Sequence, residues 1–214
     1  MKEIFEGIYR EENKIFTKNL ISGKNVYGEK IIKIGEDEFR AWNPYRSKMS
    51  ASILKGLKFL PLNKKSKILY LGVANGTTAS HFSDIIREGI LYGVEIAFKP
   101  MKKFVKLCEE RKNMIPIMGD ANKPEEYEKI VDEIDFLYQD IAQRGQIEIF
   151  FKNIDKFSPQ YGMIMVKARS IDIAEKPKKI FENVKKKIEK NYKIIEMIEL
   201  SPYAKDHVSI SLKI

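Results

Sequence analysis

Apolar and polar positions exchange in short runs up to about Trp42. "EIFEGIYR", "KIFTKN" and "EKIIKIGEDEFRAW" are brief β-like stretches, with turn signals at Gly23, Gly28 and "GEDE". They predict a small antiparallel sheet. From Asn43 the period lengthens. "NPYRSKMSASILKGL" spaces Met49, Ile53 and Leu57 four residues apart, with Gly56 and Pro61 as stop signals, and so predicts a helix.

Strand-like and helix-like runs then alternate. "KILYLG" is followed by a helix over Thr78 to Arg87, "ILYGVEI" by one over Pro100 to Arg111, "MIPIMGD" by one over Pro124 to Val131, "IDFLYQD" by one over Gln146 to Asn153, and "YGMIMVKA" closes the series. Such alternation implies βαβ units and a parallel sheet with helices on both faces. The ending differs in kind. After a helix from about Lys176 to Lys190, two strands in "YKIIEMIELSPYAKDHVSISLKI" are joined only by "SPYAKDH", too short for a crossover helix, so the last pair should be antiparallel. The expected fold is α/β with a seven-stranded sheet: a small N-terminal β domain over residues 1–45 and a main domain over residues 46–214. Repeats and low-complexity tracts are absent.

With 214 residues and 43% hydrophobic composition, the chain can bury a real core. No apolar run reaches the roughly 18 residues needed to span a bilayer, and the opening "MKEIFEGIYREENK" lacks a signal-peptide layout. A soluble cytoplasmic protein with no membrane partner is the expectation. The single cysteine, Cys108, can build neither a disulfide framework nor a thiolate metal site, and no metal is expected. A net charge of +9 and a pI near 9.3 fit an anionic partner, nucleic acid first and an anionic membrane second. Genome bias or a hot habitat gives the same composition. The basic residues are nevertheless grouped: Lys99, Lys102, Lys103, Lys106, Arg111 and Lys112 form one set, and eight lysines between Lys176 and Lys193 another. Either set also suits a solvated helix face.

Candidate chemistry begins at "KILYLGVANGTTASHFSDII". A strand ending in Gly72, then Ala74, Gly76 and a helix opening at Thr77 or Thr78, lets backbone approach a ligand and aims free N–H groups at it. The match to G-x-G-x-x-G is loose, because the final glycine is missing. Neighbouring strand ends add to it. Glu95, 23 residues after Gly72, suits both hydroxyls of an adenosine ribose; Asp120 in "GDA" suits an adenine amino group; Asp140 and Gln143 in "YQDIAQ" end the fourth strand. Any one of these acids alone reads better as a cap or turn residue. The three acids in register with the glycine loop, at carboxyl ends of successive parallel strands, read as an adenosine-ligand pocket. An aspartate after the fourth strand and an antiparallel last pair favour a Rossmann-like S-adenosylmethionine-dependent methyltransferase; a hydride-transfer enzyme is the lesser option.

"YLGVANGTTASHFSDII", "YGVEIAFKP", "NMIPIMGDANKPEEY", "YQDIAQ", "YGMIMVKARSID" and "SPYAKDHVSI" resemble, in order and spacing, the signature segments of archaeal fibrillarins. "WNPYRSKMSASILKG" is similar to that family's interdomain segment. Val73 and Asn75 stand where the family more often has Ala or Ser, and Ile96 where an aromatic is common. The resemblance implies a 2'-O-ribose methyltransferase of pre-rRNA and tRNA, the catalytic subunit of a box C/D guide RNA particle. Its implied partners are the guide and target RNA, a Nop-domain scaffold protein and, through the particle, a kink-turn-binding ribosomal-type protein. It also implies that Thr77, Thr78, Glu95, Ile96, Asp120, Ala121, Asp140 and Gln143 contact the cofactor, with Gly72, Ala74, Ile141 and Ala142 completing the pocket. Lys48, Asp140, Lys167 and His207 match the family's proposed catalytic tetrad.

Methyl transfer to a ribose hydroxyl is an in-line displacement, so alignment supplies much of the catalysis and deprotonation is the remaining problem. Lys167 suits either an ammonium that stabilises the forming alkoxide or a base whose pKa is lowered by burial or by Lys48. Asp140 is expected to orient Lys167, and His207 to position the hydroxyl or relay its proton. Trp42 reads as a core anchor between domains rather than a base-stacking platform. Two rival functions are a non-catalytic particle-assembly subunit and a stand-alone small-molecule methyltransferase, the latter needing a lid that no segment after Asp140 is long enough to form.

Overall fold

The computed structural model describes residues 1–214 and arranges their strands in two sheets. The first contains β1 (Lys2–Phe5), β2 (Ile8–Glu11), β3 (Lys14–Lys18), β4 (Ile31–Ile34) and β5 (Asp37–Ala41), all antiparallel, in the order β1-β2-β3-β5-β4. After it comes helix α1 (Lys48–Leu54), capped by Ser47.

The second sheet holds β6 (Lys67–Leu71), β7 (Ile90–Glu95), β8 (Met114–Met118), β9 (Phe136–Gln139), β10 (Tyr161–Lys167), β11 (Lys193–Glu199) and β12 (His207–Lys213), in the order β11-β12-β10-β9-β6-β7-β8. β12 runs antiparallel to both of its neighbours, and β6 to β10 are mutually parallel where they pair. This is the seven-stranded arrangement expected from the alternation. The chain winds outward from β6 through β7 to β8, then returns to β9 on the other side of β6. That reversal creates a crevice at the carboxyl ends of β6 and β9, where open α/β sheets take ligands.

The crossover helices are α2 (Thr77–Ile85), α3 (Phe98–Glu110), α4 (Gln146–Phe157), the single turn α5 (Ala168–Ile171) and α6 (Pro177–Ile188). None is long and apolar enough to cross a membrane. The helix expected over Pro124 to Val131 does not form. Only a 3-10 turn, Pro124–Glu126, is present, because Tyr127 leaves helical backbone (φ −125°) as its ring turns inward to stack on Phe157 and its hydroxyl donates to Asn153 at 2.5 Å.

Apolar side chains pack against both faces of this sheet. One layer draws on α1, α2 and α3 and takes in Ile8, Ile15 and Trp42 from the N-terminal segment; the other draws on α4, α6 and Tyr127. Trp42 anchors the first layer as expected, 1% exposed and stacked on His81 at 4.7 Å. Cys108 is buried, and burial pushes its thiol up to about 12.

A buried charge network ties the N-terminal sheet to α2. The Asp84 carboxylate accepts from Arg40 at 2.8 Å, Arg111 at 2.7 Å, the Thr17 hydroxyl at 2.7 Å and the Leu20 amide at 3.0 Å. Arg111 therefore does not belong to the exposed basic set: it is 1% exposed, drawn inward by this carboxylate. Asp84→Ala would leave the Arg111 guanidinium buried and uncompensated and Arg40 with Glu29 as its only carboxylate partner, so a loss of about 3–5 kcal/mol is expected. A shift of the urea midpoint at unchanged slope checks it; a variant as stable as the parent would contradict the account of how the two sheets are joined.

Candidate functional site

Between β6 and α2 the backbone visits the left-handed region at every second residue: Gly72 (φ 80°), Ala74 (φ 51°) and Gly76 (φ 85°). Glycine is required twice. A Cβ at position 72 would lie 2.5 Å from the Asp140 carbonyl oxygen, and one at 76 would meet Leu107 and Phe104 at 2.7 Å. Ala74, the non-glycine of the three, is held from outside, its amide donating to Glu95 Oε2 at 3.0 Å. The other Glu95 oxygen accepts from the Ala97 amide at 2.8 Å, so one carboxylate braces both loops.

A cavity of about 250 Å³ opens at the carboxyl ends of β6 to β9. Gly72, Ala74, Glu95, Ile96, Asp120, Ala121, Asp140, Ile141, Ala142 and Gln143 line it, which brings together the strand-end acids and the small and apolar residues expected beside them. Thr77 and Thr78 do not line this cavity. Thr77 faces a separate groove on the other side of the loop, and the buried Thr78 hydroxyl lies 2.9 Å from Ser47 Oγ.

Lys48, the first residue of α1, reaches across to β9, its Nζ donating to both Asp140 oxygens at 2.7 and 2.9 Å. Asp140 thus pairs with Lys48, not with Lys167 as expected. α1 delivers Lys48 directly over the β9 end, whereas Lys167 sits half-buried at the end of β10 beside β12. There it is directly opposite His207 in the antiparallel ladder. His207 Nδ1–H donates to the Lys205 carbonyl at 2.6 Å, which leaves Nε2 as the free acceptor. Burial lowers the His207 pKa; among the charges that act on it, Lys48 and Lys167 lower it further and Asp140 raises it. All four expected tetrad residues therefore share one electrostatic neighbourhood.

Two positioning residues escape the sequence reading. Gln146, fully buried, accepts from the Lys167 amide at 3.0 Å and donates to the Lys167 carbonyl at 3.2 Å and the Gln143 carbonyl at 3.0 Å, so it fixes the end of β10 against the "YQDIAQ" loop. Ser47 both caps α1 and touches Thr78, setting Lys48 relative to the glycine loop. In sequence Gln146 is only the first residue of a helix and Ser47 only a cap. Their second contacts are long-range.

The site is open at the strand ends and lined by three acids, two lysines and a neutral imidazole. Such a set suits a ligand with a diol and an exocyclic amine on one side, and a weakly acidic hydroxyl on the other.

Known proteins share the fold. The family model described as Fibrillarin matches residues 1–214. A Methanocaldococcus jannaschii protein named fibrillarin-like rRNA/tRNA 2'-O-methyltransferase is 49% identical, over 97% of this chain and 94% of that one. A fibrillarin crystallised as a fibrillarin/Nop5p complex superposes with a TM-score of 0.92 at 43% identity, covering 99% of each chain. Aeropyrum pernix fibrillarin, solved with natively bound S-adenosyl-L-methionine, gives 0.86 at 38% identity, covering 99% of this chain and all of that one.

Proposed function

The chain belongs to the fibrillarin family, and on that footing we propose that it is an S-adenosylmethionine-dependent RNA 2'-O-methyltransferase acting on pre-rRNA and tRNA as the catalytic subunit of a box C/D guide RNA particle. The observation that carries the reading is the meeting of the Lys48–Asp140 pair and the Lys167–His207 pair beside the acid-lined cavity. In this reading residues 1–45 are an appended β domain and residues 46–214 the catalytic domain, working in the cytoplasm.

The donor set fits the cofactor. Glu95 suits the ribose diol and Asp120 the adenine amino group, while Ile96, Ala121 and Ile141 offer apolar surface for the ring. When bound, S-adenosylmethionine supplies an electrophilic methyl group. The remaining work belongs to the chain. Lys48 holds the Asp140 carboxylate at the cavity rim, Gln146 holds the end of β10, and Lys167 presents its ammonium where the 2'-oxygen gains charge. His207 Nε2 accepts the hydroxyl proton, Nδ1–H staying on the Lys205 carbonyl.

This division of labour has a pH signature. The neutral imidazole is present above the depressed His207 pKa and is lost as pH falls through it. The single-turnover methylation rate should show an acid limb with its midpoint below the ordinary histidine value of about 6.5, and His207→Ala should lack that limb. A midpoint above 6.5 would remove His207 as the acceptor.

The Nop5p complex of a 43% identical relative supports a Nop-domain scaffold as partner. Guide RNA and a kink-turn-binding protein complete the proposed particle. The test is reconstitution with labelled cofactor, omitting one component at a time. Transfer should need every component; equal transfer to naked RNA by the chain alone would argue for a free-standing enzyme.

A further inference from the structure

A groove of about 660 Å³ runs along the side of the glycine loop away from the cofactor cavity, between that loop, α3 and the segment before β4. Thr77 and Asn75 line it from the loop, Lys103 and Lys106 from α3, and Arg46 and Tyr27 from the N-terminal side. Arg46 stands two residues before Lys48, which pairs with Asp140, so a short stretch of chain joins one wall of the groove to the proposed methyl-acceptor site.

Its charge is uncompensated. Lys103 and Lys106 are exposed and have no acidic partner, and the one acid on the wall, Glu110, is taken by Lys24 at 2.8 Å. The opposite wall is preorganised. An Arg46 Nη1 donates to the Tyr27 carbonyl at 2.9 Å, and the guanidinium lies 5.6 Å above the Tyr27 ring. Tyr27 is itself pinned: its hydroxyl donates to the Ala41 carbonyl at 3.0 Å and lies 2.8 Å from Nε2 of the buried His81. The Val26 and Tyr27 amides donate to Glu29 at 2.9 and 2.8 Å, and Glu29 is ion-paired to the buried Arg40 at 2.6 Å. The buried network that joins the sheets thus also stiffens one side of the groove, which lowers the ordering cost of binding there.

We propose that this groove is a phosphate track, in which Arg46, Lys103 and Lys106 hold the sugar–phosphate backbone of the RNA leading away from the methylated nucleotide; the proposal rests on the methyltransferase reading above. A guanidinium with free donors and two ammonium groups, in a polar open channel, matches a chain of phosphodiesters. The occupant is a polyanion continuous with the substrate, since the unpaired charge of the channel is positive and Arg46 on its wall stands two residues before Lys48.

The test is a double charge reversal, Lys103→Glu with Lys106→Glu, in the reconstituted guide RNA particle. Its control is Lys186→Glu with Lys190→Glu, the same change in net charge at exposed positions of α6 and the residues after it, across the sheet. The groove variant should raise the KM for target RNA about tenfold and lower the salt-dependence slope of RNA binding by about two, with the KM for S-adenosylmethionine unchanged. The control should stay within about twofold of the parent, the change expected of lost long-range attraction alone. Equal losses in both variants, or no loss in the groove variant, would overturn the phosphate track. So would a groove variant that binds RNA normally but no longer joins the particle, which would assign the groove to a protein contact. A parent particle that transfers no methyl group at all would instead bring down the methyltransferase reading on which the track depends.

Discussion

Lys167→Ala is expected to slow single-turnover methyl transfer about a thousandfold while cofactor affinity stays within about threefold, the range for removing one charge-stabilising or proton-handling group. The contrast follows from placement. Lys167 ends β10 opposite His207 and does not line the cofactor cavity. Its backbone is clamped by Gln146 through both amide and carbonyl, so truncating the side chain leaves the strand end in position. Lys167→Arg tests the charge-stabilising role assigned to this residue against that of a base. A guanidinium keeps the charge but gives up no proton, so a stabilising cation predicts partial activity and a general base predicts none. Rapid-quench transfer and calorimetric cofactor titration on the same preparations supply both readings. Full activity in Lys167→Ala would remove the residue from the mechanism.

Gly72→Ala should cost the protein both its cofactor and part of its stability. The new Cβ would sit 2.5 Å from the Asp140 carbonyl oxygen, 3.1 Å from the Asp140 carbonyl carbon and 3.0 Å from Ile141 Cγ1, at a backbone φ of 80°. Backbone cannot swing aside as a side chain does. The ends of β6 and β9 must part, or the loop must refold, and either change opens the cavity where Asp140 meets Lys48. Left-handed strain of about 1–2 kcal/mol adds to an overpacking cost of about 1–3 kcal/mol. Cofactor affinity is expected to fall about a hundredfold, given the several kcal/mol needed to restore the pocket. Gly23→Ala is the control, with a φ of 75° and open space around its Cβ position. It should show the backbone strain alone and bind cofactor normally. If both variants behave alike, the close approach of β6 and β9 is not what shapes the pocket.

The strands were legible because the parallel strands are short apolar runs, closed by a small or acidic residue from "KILYLG" to "IDFLYQD" and by a lysine in "YGMIMVK". The cavity was legible for the same reason: its acids sit at strand ends, and parallel strands bring those ends to one edge. Local pattern failed where tertiary packing decided the outcome. The stretch after Pro124 has helical composition, yet burial of Tyr127 against Phe157 breaks the helix after one turn. Arg111 reads as one more cation on a basic helix until Asp84, 27 residues earlier, is seen to hold it in the core. The Lys48–Asp140 pair spans 92 residues and depends on where α1 lands, which no local period encodes. Lys167 and His207 came only from likeness to a family; their adjacency is a property of the β10–β12 register.

In the proposed function the chain places a methyl group on a ribose 2'-oxygen of an RNA chosen by a guide. The most direct measurement is to map the methyl group on target RNA recovered from the reconstituted particle, by alkaline hydrolysis and mass spectrometry of the resistant dinucleotide. One alkali-resistant linkage is expected at the guide-paired nucleotide, moving when the guide sequence is changed. A methyl group found on a base, or at a position that does not follow the guide, would contradict it.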